Sequence, residues 1–206
     1  MQPLLLATRN ANKTREFREL LGKDFDVHDL SAFDEMAIPK ESGRTFEENA
    51  ILKAVAASQD RHVQDRHLAV VADDSGLEVD ALGGAPGIFS ARYAGEHASD
   101  KENIDKLLSE LARRNVPFDQ RSARFRCVIA LAHEGKLLGK FKGIVEGSIV
   151  HIPRGSRGFG YDPIFVPNGF DKTFGELRAE AKNRISHRAQ AIRTLAAKLT
   201  AFKPSD

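Results

Sequence analysis

The sequence predicts a mixed α/β fold, and three observations carry that prediction. A continuously apolar run, Leu68-Ala-Val-Val-Ala72, reads as a strand covered on both faces of a sheet. Three stretches begin with Thr or Ser followed three residues later by Glu, the capping-box spacing of a helix start: Thr45 with Glu48, Ser99 with Glu102, and Thr173 with Glu176. Two segments, 122–133 and 137–147, flank Glu134-Gly-Lys136 and read as a hairpin, so part of the sheet is antiparallel. No internal repeat, low-complexity tract or evident linker interrupts the 206 residues, and a single domain over 1–206 is expected.

The elements follow in order. Pro3 to Thr8 reads as a short buried strand that breaks at Thr8-Arg-Asn-Ala-Asn-Lys13 into a helix reaching Leu21. Such a turn aims the first, unpartnered helical amides at whatever occupies it, and the helix dipole favours an anion there. A helix over 45–59 carries Phe46, Ala50, Ala54 and Val55 at spacings that fit one buried face, though not a sharply defined one. The strand 68–72 then delivers Asp73 and Asp74 at its carboxyl end. After a Gly/Pro-rich stretch at 83–87 come a helix over 100–115, the hairpin, a second glycine-rich loop at 155–160, a strand over 163–166 and a closing helix from Ser186 to Leu199.

Composition excludes several classes. With 41% hydrophobic and 29% charged residues the chain is neither disordered nor a coiled coil, and one cysteine cannot staple a miniprotein. Lys and Arg number 31 against 29 Asp and Glu, a formal net charge of +2 that demands no polyanionic partner. Any anion handled here is therefore small and locally gripped. The apolar run Leu4 to Ala7 is too short for a signal-peptide core or a membrane span, and the expectation is a cytoplasmic protein. Cys127, within an apolar alternation, reads as a buried structural thiol.

Four clusters bear chemistry. Asp73 and Asp74 lie where open α/β sheets place ligands, and their hard oxygens suit Mg²⁺; the plainer alternative is that they cap a turn through Ser75-Gly76. Neighbours on a strand face opposite ways, so the pair cannot share one task unless the strand has ended. Glu41, in a loop before a capped helix, is a second candidate metal ligand or a solvated loop acid. Lys53, on that helix, reads either as a cation that reaches back towards a phosphate or as a solvated helical lysine. Arg154-Gly-Ser-Arg-Gly-Phe-Gly-Tyr-Asp162 sets Phe159 between Gly158 and Gly160, either as a face on which a base stacks or as a packed corner. In Lys182-Asn-Arg-Ile-Ser-His-Arg188, His187 and Arg188 fall in the first turn of the last helix, where positive charge opposes the dipole and needs a compensating anion.

Thr8-Arg-Asn-Ala-Asn-Lys13, Glu41-Ser-Gly-Arg-Thr-Phe-Glu-Glu-Asn-Ala50, Ala72-Asp-Asp-Ser-Gly76, Gly83 to Gly95, Gly158-Phe-Gly-Tyr-Asp-Pro-Ile-Phe165 and Ser186-His-Arg188 together resemble the Ham1-like family of inosine/xanthosine triphosphate pyrophosphatases. Six motifs in order, from residue 4 to about 195, make the resemblance specific. It implies an elongated α/β fold of two lobes around a cleft, Mg²⁺ dependence, a homodimer, and hydrolysis of ITP, dITP and XTP to monophosphate and pyrophosphate. It further implies that Thr8, Arg9, Asn10, Ala11, Asn12 and Lys13 grip the triphosphate and that Asp74 is proton acceptor and metal ligand with Asp73 beside it. Ser75 would touch substrate, Glu41 would be the loop metal ligand, and Phe159, Gly160, Tyr161, Asp162, Lys182, His187 and Arg188 would contact base and phosphates. Arg9 replaces a small residue common there, and Lys40 stands where many members carry an acid.

The 6-oxo group of hypoxanthine and xanthine is an acceptor where adenine offers a donor, so donors such as the Arg188 guanidinium would favour the former. Two rival readings are a Maf-like pyrophosphatase acting on other nucleotides and a nucleic-acid-binding groove built from Arg113, Arg114, Arg121, Arg124 and Arg126. The expected partner is a free purine nucleoside triphosphate, with no nucleic acid and no membrane.

Overall fold

A computed structural model describes residues 1–33, 36 and 41–201. Among them are β1 (Gln2–Leu6), α1 (Ala11–Leu21), β2 (Phe25–Asp29), α2 (Phe46–Ser58), α3 (Arg61–Gln64), β3 (Ala69–Val79), α4 (Asp100–Arg113), β4 (Ser122–His133), β5 (Lys136–Ile149), β6 (Phe165–Pro167), α5 (Ala179–Ile185) and α6 (His187–Ala201). One sheet runs in the order β2-β1-β3-β4-β5-β6, parallel where β1 meets β2 and β3, antiparallel where β5 meets β6. The mixed α/β fold expected from the sequence is the fold the chain adopts. By its internal contacts it divides into two compact units, each assembled from separated stretches: Met1–Asp74, Cys127–Gly143 and Arg188–Asp206 in the first, Ser75–Arg126 and Ile144–His187 in the second.

In the first unit, Leu4 and Leu6 of β1 pair in register with Ala69 and Val71 of β3, and Leu4 also with Val27 of β2. Those side chains form a core with Phe17 and Leu21 of α1 and Ile192, Leu195 and Leu199 of α6, at the three- and four-residue spacings that line one helix face. Removing a buried phenylalanine such as Phe17 from a core of this kind costs about 3–5 kcal/mol. Asn10 caps α1, accepting from the amides of Asn12 and Lys13. Thr14 donates to Asp29 at 2.7 Å, and Arg18 donates to the Val27 carbonyl, so α1 is fixed on β2.

The second unit has its own core, in which Leu77, Val79, Ile104, Leu107, Leu111, Phe165 and Phe174 are buried together. Ser99 and Glu102 form a complete capping box at the start of α4. The rings of Phe125 and Phe165 meet edge to face at 4.7 Å between centroids, and His187 stacks on Phe125 at 4.8 Å.

Several elements differ from the sequence reading. The strand expected to stop at 72 continues as β3 to Val79, which puts Asp73 and Asp74 in its interior and leaves no turn at Ser75-Gly76 for them to cap. At Thr173 the Glu176 carboxylate does accept from the Thr173 amide, but the chain forms only a turn, and the helix starts at Ala179 as α5. The Thr173 hydroxyl is committed to the Arg154 carbonyl instead. On α2 the buried face includes Asn49 and Lys53, while Val55 is only half-buried. β2 was not foreseen. The β4–β5 connection, Glu134-Gly135, has φ of 47° and 76°, the double left-handed turn that suits a two-residue hairpin.

Candidate functional site

Side chains alternate across a strand, and within β3 the two aspartates accordingly meet different partners. Asp73 receives the Arg188 Nε at 3.0 Å, the Cys127 thiol at 3.0 Å and an ion pair from Lys13. Arg188 Nη1 reaches Glu16 at 2.5 Å. Glu16 lies three residues after Lys13 on α1, so both look from the same helix face. Asp73 and Arg188 are each 2% exposed. Burial alone would raise the Asp73 carboxyl, but the Arg188 and Lys13 cations overturn that and hold it well below the usual carboxylate range. Burial, with the negative charge of Asp73 beside it, pushes the Cys127 thiol far up, away from thiolate chemistry. The anions that answer Arg188 at the unfavourable end of α6 are thus Asp73 and Glu16, within the chain.

Asp74 faces α2. The Lys53 ammonium is 2.9 Å from Asp74 Oδ1, 2.9 Å from Glu41 Oε1 and 2.9 Å from the Asp73 carbonyl. Asn49 Nδ2 donates to Asp74 Oδ2 at 3.3 Å. Burial would strip Lys53 of its proton, yet the two carboxylates hold it charged. Burial raises the Asp74 carboxyl, Lys53 opposes that rise, and the like charge of Glu41 adds to it.

The Thr8–Lys13 turn has largely closed on itself. Asn10 donates its amide to Thr8 Oγ1 at 3.1 Å, and its own side chain takes the amides of Asn12 at 3.0 Å and Lys13 at 3.2 Å. Amides expected to face an anion therefore already have side-chain acceptors. Arg9, Asn10 and Ala11 are exposed, and Arg9 donates to the Met36 carbonyl. Lys40 lies outside the described residues.

In the second unit the Lys182 ammonium is 2.6 Å from Asp162 Oδ2, both side chains being buried, and stands 5.1 Å from the centroid of the half-buried Phe159 ring. Asp162 Oδ2 also accepts from the Phe159 amide at 2.9 Å. Gly158 and Gly160 both have left-handed φ, and a Cβ at Gly158 would strike the Asp162 carboxylate. Tyr161 donates to the Ser90 carbonyl at 2.9 Å. Ser75 is half-buried on β3, and His187 is buried against Phe125. Four of the five arginines of the rival nucleic-acid reading, Arg114, Arg121, Arg124 and Arg126, are paired or buried. Arg124 pairs with Glu78, Asp80 and Glu146, Arg126 pairs with Glu78, Arg114 donates to the Ala81 carbonyl, and Arg121 is buried. A groove meant for phosphates would not spend its cations this way.

Among the described residues no three His, Cys, Asp or Glu side chains gather to hold a metal by themselves. Two carboxylates, Glu41 and Asp74, do converge, since both lie within hydrogen-bond distance of one ammonium. That donor set fits Mg²⁺, which is usually held by one or two carboxylates together with waters and substrate phosphates. Asp73, with its oxygens engaged by Arg188, Lys13 and Cys127, does not join them. Among the described residues no helix is long and apolar enough to cross a membrane.

Residues 4–198 match the model of the Ham1 family. The chain belongs to the Ham1 family. This Ham1 chain is 46% identical to the dITP/XTP pyrophosphatase of Bacillus subtilis over 202 residues, 98% of each, and 48% identical to that of Geobacillus kaustophilus over 95% of this chain and 93% of the relative. Among solved structures it resembles a Ham1 protein from Coxiella burnetii, with a TM-score of 0.84 and 42% identity over 98% of this chain and all of that one. The Ham1 protein of Staphylococcus aureus gives a TM-score of 0.82 at 43% identity, over 98% of this chain and all of that one.

Sequence reasoning passed over several residues of this candidate site: Glu16, Asn49, and the contact of Cys127 with Asp73. Asn49 had a legible signal, because it sits four residues before Lys53 and so on the same helix face. Glu16 had the matching spacing to Lys13, but nothing local marks its partner Arg188, which is 172 residues away.

Proposed function

We propose that the chain hydrolyses non-canonical purine nucleoside triphosphates, ITP, dITP and XTP, between the α and β phosphorus atoms. The products are the nucleoside monophosphate and pyrophosphate, and the effect is to clear deaminated purines from the nucleotide pool before they enter DNA or RNA. The observation that carries the proposal is the arrangement around Asp74, a buried carboxylate held at both oxygens by Lys53 and Asn49 and facing a second carboxylate, Glu41, across the same ammonium. The names of the relatives supply the substrate class.

The chain's own residues divide the work. Asp74, fixed in one rotamer by its two donors, orients the attacking water and takes its proton. Lys53 keeps Asp74 and Glu41 close despite their like charge and presents a cation to the phosphates. Lys13 supplies further positive charge for the departing pyrophosphate, and Thr8 to Asn12 shape the turn beside it. Glu41 and Asp74 would hold Mg²⁺, which when bound neutralises phosphate charge and polarises the phosphoryl group. Asp73 is the anchor that aligns Lys13 and Arg188, and Phe159 offers its ring face to the purine. The family resemblance extends the reading to a cytoplasmic homodimer.

A nucleotide panel assayed separately for pyrophosphate and orthophosphate tests the reading. Pyrophosphate from dITP, ITP and XTP but little from ATP is expected, with activity dependent on added Mg²⁺. Orthophosphate alone would exclude this bond, and pyrophosphate from ATP at equal efficiency would exclude this substrate class.

A further inference from the structure

The loop carrying Phe159 is fixed at both ends of one peptide unit, and the two fixings differ in kind. On one side Asp162, itself locked to Lys182 at 2.6 Å, accepts from the Phe159 amide at 2.9 Å, and the Asp162 amide donates to the Phe159 carbonyl at 3.3 Å. These contacts belong to the motif already assigned. On the other side the Gly160 amide donates to Asp100 Oδ2 at 2.7 Å. Asp100 lies 60 residues away, the first residue of α4, and has no part in the site described above.

Asp100 is a rigid point from which to hold a loop. The capping box of Ser99 and Glu102 fixes the start of α4, and Ile104, Leu107 and Leu111 anchor the helix in the core of the second unit. Asn103, one turn on, holds the preceding segment by accepting from the Ala94 amide at 2.8 Å and donating to the Ala91 carbonyl at 3.2 Å. The loop is the opposite case. Gly158 and Gly160 have φ of 75° and 60°, and around Gly160 a Cβ would meet nothing within 4 Å. Glycine backbone with open space beside it reorients at little steric cost, so this peptide's direction depends on what its two ends find, the Asp162 amide at 3.3 Å from the carbonyl and the Asp100 carboxylate at 2.7 Å from the N–H. A charged acceptor makes a stronger hydrogen bond than a neutral one.

We propose that Asp100 is a positioning residue for base recognition: by holding the Gly160 amide it sets the plane of the Phe159–Gly160 peptide and so the angle at which the Phe159 ring meets the purine. The inference rests on the reading of Phe159 as the base platform. It makes a distinction that a general structural role would not. Ligands with a base should lose affinity when Asp100 is changed, whereas ligands made only of phosphate should not.

The test measures dITP hydrolysis with inorganic tripolyphosphate as a competing inhibitor, in Asp100→Ala, Asp100→Glu and Asp100→Asn. Alanine removes the acceptor, glutamate keeps the charge at the helix start but displaces the acceptor by a methylene, and asparagine keeps an acceptor in place. Asp100→Ala and Asp100→Glu are expected to raise KM for dITP about 5- to 30-fold, the effect of one or two lost units of hydrogen-bond free energy, with kcat within a few-fold and tripolyphosphate inhibition unchanged. Asp100→Asn is expected to restore most of the KM. An unchanged KM in both acceptor-removing variants, or an equal loss of tripolyphosphate inhibition, overturns the proposal. If alanine unfolds the chain, Asp100→Glu, which keeps the favourable charge in the first helical turn, decides alone. Failure of the wild-type chain to release pyrophosphate from dITP is a separate result, bearing on the activity itself.

Discussion

The Arg188 guanidinium lies 3.0 Å from the Asp73 carboxylate in a place where neither side chain is more than 2% exposed. Removing one partner of a buried pair strands the other charge, at a cost of about 3–5 kcal/mol. Arg188→Ala should therefore lower the unfolding free energy, read from urea denaturation, by that order, because Asp73 keeps only the Lys13 cation and Glu16 loses the Arg188 cation. If instead Arg188 serves mainly to hold a base, Arg188→Ala should keep its stability and lose only selectivity between ITP and ATP. Equilibrium unfolding beside a two-nucleotide kinetic comparison separates these outcomes.

Asp74→Asn should behave in the opposite way. The amide retains an oxygen for Lys53 or Asn49, so folding survives, but it cannot take a proton. A fall in kcat of about 10²–10⁴-fold is expected, with nucleotide binding retained. Near-normal kcat would remove Asp74 from the proton-accepting role, and the contrast with Asp73→Asn, which should mainly destabilise, tests the division of labour on β3.

That division was half legible in the sequence. Alternation along a strand forbids Asp73 and Asp74 one shared task, and this much follows from period-two geometry alone. Which aspartate does which was not legible, because Arg188 and Glu16 lie 115 and 172 residues from their partner atoms in the chain. The extent of β3 was underestimated for a related reason: Asp, Ser and Gly have poor strand propensity, and here tertiary partners override it. The helix starts at Thr45 and Ser99 were readable since a cap is a local device, whereas Thr173 carried the same spacing and was captured by the Arg154 carbonyl. The blurred face of α2 was itself a signal. Asn49 and Lys53 interrupt its apolar pattern because they serve Asp74.

Glu41→Gln weakens one of the two carboxylates proposed for Mg²⁺ and one of the two that hold Lys53 charged. The Mg²⁺ concentration for half-maximal activity should rise about tenfold or more, as one hard anionic ligand is lost. At saturating Mg²⁺ much of kcat should return. A titration curve that does not move would place the second metal carboxylate elsewhere.

Acid should act on a surface cluster in a sign that can be worked out. Hydrogen bonds from Lys140 and Lys142 bring the Glu47 carboxyl down to about 2 from its ordinary 4.5. A depressed folded value means a stabilising contribution present above pH 4.5 and lost as pH falls towards 2. Wild type should thus exceed Glu47→Gln in urea midpoint at pH 7, and the gap should close between pH 4.5 and 2. The cluster lies at the surface, with Lys140 and Lys142 exposed, so the gap is small and should shrink further in high salt.

Gly158→Ala probes the second unit. The residue has φ of 75°, and the added methyl would also collide with the Asp162 carboxylate that holds Lys182 and the Phe159 amide. Gly83→Ala is the control, since φ there is 67° and a Cβ would meet nothing within 4 Å. Both variants should lose about 1–2 kcal/mol for left-handed backbone. Only Gly158→Ala should go further, because its methyl must push Asp162 aside and uncouple it from a buried ammonium. The expected signature is an extra loss of stability together with a raised KM for dITP, against an unchanged KM in Gly83→Ala. Equal behaviour of the two would mean that Gly158 is needed for its backbone angle alone and that the close approach to Asp162 carries no binding role.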